Sequence, residues 1–241
     1  MIPSKKTLHL QAVFRYIKCK PRQGDDMETY TLENANGYIV FKKGGETVLV
    51  DTGAPATVRK DSMLAPLAGF DTLEEHSGQP VTTIMGMTDI SRQKVLIDSV
   101  ASTVSFGDDL TLEGEALDCT YNGYLFLDAE ANGRKGIVVF DTGAPIAYVR
   151  SDLVQGRQPI GEKADFNPHL GNFTTPIYNT ELVLHGTTYA VEAGVVPEEG
   201  REMFVANFSM LGVSPLAIVG GALMAGRRTL IDIAAGKITL G

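Results

Sequence analysis

Two aspartates stand in the same pentapeptide, Asp-Thr-Gly-Ala-Pro, at 51–55 and again at 141–145. A lone aspartate at the end of a strand is ordinarily a turn residue, because its oxygens accept from the backbone N–H groups that follow. Two carboxylates delivered by two equivalent turns can do more. Held about 3 Å apart, they cannot both ionise cheaply, so they share one proton. One can then take a proton from a bound water while its protonated partner polarises a carbonyl. The proton belongs to the pair, and a titration reports the pair. Such chemistry needs no metal and no cofactor. The four histidines, His9, His76, His169 and His185, show no ligand spacing.

The elements that must position these aspartates repeat with them. Each follows an apolar run, Val48-Leu49-Val50 or Val138-Val139-Phe140, which reads as a buried strand ending in a tight turn. Upstream, Gly37-Tyr38-Ile39-Val40-Phe41 matches Gly123-Tyr124-Leu125-Phe126-Leu127. The intervening turn is short in the first copy (43–46) and longer in the second (129–135). Past the motif, 58–62 runs against 148–152. Ile84-Met85-Gly86, Leu96-Ile97-Asp98 and 104–107 then match Ile218-Val219-Gly220, Leu230-Ile231-Asp232 and 238–241 without a gap. The chain reads as a duplicated lobe, 1–109 carrying Asp51 and 110–241 carrying Asp141, joined near Gly107-Asp108-Asp109. Leu8, Leu10, Ala12 and Phe14 alternate as in a strand, and 181–191 has hairpin form around His185-Gly186. Short helical pieces are expected at 221–227 and after Met63, with no long helix.

Composition sets the bounds. In 241 residues, 44% hydrophobic and 21% charged describe an ordinary globular chain, and 26 glycines without a tryptophan suit an all-β protein with many turns. A net charge of −8 argues against a nucleic-acid partner or an anionic membrane surface. The longest apolar stretch, 216–225, holds two glycines and is far shorter than the ~20 residues of a membrane helix. Cys19 and Cys119 form no disulfide framework and read as free thiols in a reducing compartment. Lys5 and Lys6, followed by His9, Gln11 and Arg15, leave no visible signal-peptide core, so a cytoplasmic location is expected.

Two apolar residues and Asp-Thr-Gly-Ala, followed later by two apolar residues, a glycine and a strand, resemble the lobe of the aspartic proteases. The match occurs twice and spans nearly the whole chain. Alanine after the glycine is closer to the retropepsin-like form, whereas two lobes on one chain are pepsin-like. The resemblance implies an all-β acid-protease fold: two pseudo-symmetric lobes, a cleft between them, and a central sheet from the N-terminus, the mid-chain (103–117) and the C-terminal strand. It implies an aspartic endopeptidase acting on an extended polypeptide, with Asp51 and Asp141 catalytic and a monomer as the simplest active unit. Thr52 and Thr142 would bond across to the opposite loop. Gly53 and Gly143 would leave room for substrate, and Gly86 and Gly220 would end the strands beneath the loops.

The lobes are unequal, because the second is longer between its aspartate and its Ile-Val-Gly. There 166–173, with His169, Leu170, Gly171 and Asn172 at its tip, falls where a retropepsin places its flap hairpin. The first lobe returns through turns at Pro66, Gly69, Gly78 and Pro80, so a single flap over an otherwise open cleft is expected. Pro55 and Pro145 replace the acidic residue usual in retroviral enzymes, and Met87 and Gly221 replace its arginine partner. Ala54 and Ala144 lack the hydroxyl that would stabilise an ionised carboxylate, which points to a mildly acidic to neutral working pH. Carboxylates alone leave open a non-catalytic peptide-binding or interaction protein, or a highly restricted processing protease.

Overall fold

A computed structural model describes residues 27–168, 170–198, 208–209 and 211–241. The strand expected through Leu8 and Phe14, together with Cys19 and His169, lies outside the described residues. In the first half the chain runs β1 (Glu28–Thr31), β2 (Val40–Lys43), β3 (Glu46–Val50), β4 (Val58–Arg59), α1 (Phe70–Ser77), β5 (Thr83–Met85), α2 (Met87–Ile90), β6 (Val95–Asp98) and β7 (Thr103–Phe106). In the second it runs β8 (Glu115–Tyr121), β9 (Leu125–Ala131), β10 (Arg134–Asp141), β11 (Ala147–Val149), β12 (Gly161–Asn167), β13 (Gly171–Leu184) and β14 (Thr187–Val195). It ends with β15 (Ala217–Gly220), the short helix α3 (Gly221–Met224), β16 (Arg228–Asp232) and β17 (Lys237–Leu240). The fold is all-β, with short helices between the strands.

Three hairpins turn on two residues that both have positive φ: Gly44-Gly45, Asn132-Gly133 and His185-Gly186. That is the backbone whose twist matches antiparallel strands, and glycine or asparagine adopts it most cheaply. The turn expected over 129–135 is therefore Asn132-Gly133 alone. What lengthens the second copy is strand: β9 and β10 stay paired out to Ala131 and Arg134.

The duplication is visible in the pairing. β3 lies antiparallel to β2 and parallel to β5, with β4 antiparallel on the far side. β10 repeats this with β9, β15 and β11. The two halves meet in one sheet, where β6 and β16 run antiparallel and Leu96 sits opposite its sequence counterpart Leu230. A local two-fold axis passes through that pair. β1 flanks β7 as β8 flanks β17. The mid-chain span thus supplies two strands, β7 and β8, one to each flank of this sheet.

Between the aspartate and the returning strand the halves diverge. The first half carries the two-turn helix α1, opened and closed by Gly69 and Gly78 in the left-handed conformation. Phe70 and Leu73 of α1 bury against Val40, Leu49, Val81 and Ile84. Sequence reading placed only turns and a short helical piece here. The second half instead carries β12 to β14, a meander that joins the main sheet through β11 and β9.

Candidate active site

The repeated loops meet at the interface of the two halves and are locked by their threonines. Thr52 and Thr142 are fully buried. The Thr52 backbone N–H donates to the Thr142 hydroxyl at 3.0 Å, and the Thr142 N–H donates to the Thr52 hydroxyl at 2.9 Å. Each hydroxyl in turn donates across the interface, Thr52 to the Phe140 carbonyl at 2.9 Å and Thr142 to the Val50 carbonyl at 2.8 Å. Both hydroxyls thus use donor and acceptor capacity in a dry site, where an unsatisfied group would cost most.

The lock brings the two carboxyl groups within hydrogen-bonding reach of each other. Both are half-buried. Asp51 Oδ1 accepts from the Gly53 and Ala54 N–H groups at 2.8 and 3.0 Å, whereas Asp141 Oδ1 accepts from Gly143 N–H at 2.8 Å. The glycines are required by space. A Cβ on Gly53 would stand 2.3 Å from Asp141 Oδ2, and one on Gly143 would stand 2.4 Å from the Asp51 carboxyl.

Both carboxyls are pushed above the usual aspartate range. For Asp51 the cause is loss of solvation, opposed by its bond with Asp141 and by the two backbone donors. Asp141 is pushed further, first by loss of solvation and then by the charge of Asp51. Backbone N–H groups favour the ionised form of each carboxyl while burial opposes it, so the pair shares its proton and titrates as one unit.

Strands ending at glycine pass beneath both loops. Cβ atoms at Gly86 and Gly220 would collide with the Ala56 and Asp141 carbonyls, at 2.4 and 1.6 Å. The next residues repeat one bond: Met87 N–H donates to the Ala54 carbonyl at 2.8 Å, and Gly221 N–H to the Ala144 carbonyl at 2.9 Å. At Gly221 a side chain would approach the Pro145 backbone to 2.8 Å, so no arginine fits there without a shift.

The β12–β13 hairpin, hereafter the arm, spans from the second half to the first. Its register ends at Asn167 opposite Gly171, with Leu170 N–H donating to the Asn167 carbonyl at 3.0 Å. Leu170 is half-buried, Gly171 and Asn172 are exposed, and none of the three is shown at the dyad. Instead Asn172 Oδ1 pairs with His76 Nε2 of α1 at 2.9 Å. Phe166 stacks near the His76 ring at 5.1 Å and packs on the first-half core. The expected open cleft is therefore bridged, because α1 supplies a seat for the arm.

Sequence reasoning missed three side chains here. Asp165 of the arm is 5% exposed and accepts a hydrogen bond from the Tyr148 hydroxyl of β11. Tyr38 is also buried; loss of solvation pushes its phenol well up, and the nearby charges of Asp165, Asp51 and Asp141 push it further. Its counterpart Tyr124 is raised likewise by burial and by Asp141 and Asp51, but packs against Phe126 and Phe208 instead. The Gly-Tyr pair repeated before each motif was the available signal. Nothing local marks Asp165.

Among the described residues no group of three or more His, Cys, Asp or Glu side chains could hold a metal, and no helix is long and apolar enough to cross a membrane. No protein-family model and no curated protein matches the chain. Among solved structures, the solution structure of Simian Foamy Virus (mac) protease aligns over 39% of this chain and 86% of its own, at 23% identity and a TM-score of 0.26. So loose an overlap decides neither fold nor chemistry. What the described residues show is an all-β fold with a repeated strand arrangement and two Asp-Thr-Gly loops meeting between its halves.

Proposed function

We propose that the chain is an aspartic-type endopeptidase that hydrolyses a polypeptide held extended between the dyad and the arm. The reading is carried by one observation: the Asp51 and Asp141 carboxyls face each other, each beside the glycine of the opposite loop. In the working state the pair holds one proton. The ionised member of the pair takes a proton from a water held between the carboxyls, and the resulting hydroxide attacks the scissile carbonyl. The protonated member gives its proton to that carbonyl oxygen and so stabilises the tetrahedral centre. Collapse of the intermediate returns a proton to the departing amine. The halves 1–109 and 110–241 then act as unequal lobes of one site, and a single chain supplies both aspartates, so a monomer suffices.

Burial raises both carboxyls, so the pair holds its shared proton to a higher pH than solvated aspartates would, which is the direction of the mildly acidic to neutral working pH proposed for it. The contact of the arm with α1 favours the narrower version of this reading, a restricted processing enzyme, because a substrate must displace or pass beneath it. The test is digestion of a diverse pool of unstructured peptides, scored by new termini in mass spectra. Asp51→Asn and Asp141→Asn should each lower cleavage by about 100- to 10,000-fold. Cleavage that survives either substitution refutes the dyad. Equal silence of the wild type and both variants, together with retained peptide binding, would establish a binding module instead.

A further inference from the structure

Asp165 is a buried carboxylate to which the proposed hydrolysis gives no work. It lies near the tip of a hairpin, where a charged side chain would ordinarily turn to water, and a buried carboxyl persists only where donors replace its lost solvation. Three groups face it. Phe166 N–H donates to Oδ1 at 2.8 Å, the Tyr148 hydroxyl donates to Oδ2, and the buried Tyr38 phenol lies near the same carboxyl. Burial pushes the Asp165 carboxyl up, while Tyr148, the Phe166 N–H, the nearby His76 and Tyr38 oppose that shift.

The two tyrosines come from different halves. Tyr148 belongs to β11 beside the Asp141 loop, and its ring also meets Phe173 on the other strand of the arm at 6.2 Å. Tyr38 follows Gly37, whose α-carbon lies so close to Pro145 that an added Cβ would stand 3.2 Å from the proline ring. The corresponding Gly123 has nothing within 4 Å of such an atom. Thus only Tyr38 is braced against the opposite active loop, and only on its side does the arm descend. The pseudo-symmetry is broken where the carboxylate of the arm bonds one tyrosine and comes near the other.

We infer that Asp165 is the positioning residue that seats the arm over the cleft, received by Tyr148 from its own half and by Tyr38 from the other. The clasp itself does not depend on the endopeptidase reading; its consequence for peptide handling does. Tyr148 acts as the anchor, since it touches both strands of the arm. Tyr38, with the His76–Asn172 pair, forms the releasable side, because these contacts cross between halves. A peptide entering the cleft would part the second set and leave the first. Tyr38 then becomes a neutral hydroxyl between the arm and the dyad, free to donate to a substrate carbonyl.

Amide hydrogen exchange in the unliganded protein tests the clasp without any substrate. A two-stranded hairpin cut off from its seat is marginally stable in water, so its amides should open locally. Asp165→Ala should speed exchange over 161–177 by at least ~10-fold, with amides of 51–55 and 141–145 unchanged. Tyr38→Phe, which removes one hydroxyl and leaves the anchor, should show a smaller rise in the same span. Asp165→Asn keeps an acceptor oxygen and should restore most of the protection. Wild-type protection in Asp165→Ala would overturn the inference, as would an Asn variant that exchanges as fast as the Ala variant. Where the wild type cleaves the peptide pool, Asp165→Ala should raise KM with kcat little changed, since the dyad is untouched; an equal fall in kcat with constant KM would also overturn it. If no peptide is cleaved, the endopeptidase reading fails while the exchange result still decides the clasp.

Discussion

At the scale of single residues, the site is a set of groups that no neighbouring type could replace. The threonine pair places four hydrogen bonds in a fully buried spot, two for each hydroxyl. Thr142→Val has nearly the same volume but deprives the Thr52 N–H of its acceptor and the Val50 carbonyl of its donor. It should destabilise the fold by about 2–4 kcal/mol, from the unmet buried groups. A chain of this size then melts roughly 5–15 °C lower, as calorimetry would show. A drop under about 2 °C would mean that the loops are held by something else. The carboxylates predict the opposite sign. Asp141 is raised in the folded protein, so it keeps its proton to a higher pH than in the unfolded chain. The stability it contributes is full below the ordinary aspartate range and is lost as pH rises through the raised value. Asn does not titrate. Asp141→Asn should therefore melt a few degrees above the wild type near pH 7, with the gap closing near pH 4. A gap that widens on acidification would contradict the burial of this carboxyl.

Elements explain what could and could not be read from the chain. The strands leading to Asp51 and Asp141 were legible because each ends in an unbroken apolar run closed by Asp-Thr-Gly, a local pattern that tertiary context reinforces. The arm was legible as a hairpin only through the resemblance, because 166–173 falls in the longer stretch between the second aspartate and Ile218-Val219-Gly220 where a flap is expected. Helix α1 was read only as turns and a short helical piece, since Phe70 and Leu73 alone mark its buried face and two turns are too few for a period to emerge. Its landing contacts with Phe166 and Asn172 join positions about a hundred residues apart, which no single-sequence pattern reports. The helix nonetheless underlies the site. Leu73 is 2% exposed in the cluster that backs β3 and the arm, so Leu73→Ala should cost about 2–4 kcal/mol in chemical denaturation. The same substitution should loosen the arm more than the threonine lock. Were loops 51–55 and 161–177 to gain exchange equally, α1 would be a general support and not the seat of the arm.

At the scale of the molecule, symmetry and its breaking divide the labour. The repeated blocks made the two-fold legible in the sequence, and the pairing of Leu96 with Leu230 places its axis within one sheet. What the repeat could not reveal is how tightly the halves are fused. That depends on registers between distant strands. The sheet runs from β7 through β6 and β16 to β17 without a gap, the loops above it share the threonine lock, and the largest apolar cluster draws on both halves. Ile97 and Ile231 are fully buried on adjoining strands in one continuous apolar cluster. Two-state behaviour is the ordinary outcome when such a cluster is shared, although chains of this length often split when it is not. Thermal unfolding should therefore show one transition, with far-UV circular dichroism and protection of both halves against proteolysis lost together. Ile231→Ala should lower that midpoint, at a cost of about 2–5 kcal/mol, without dividing it. A first transition in which only the arm and β13–β14 are cleaved would be compatible with local opening at the cleft. Separate melting of the two aspartate-bearing halves would not, because a dyad built across an interface can persist only while both sides stay folded together.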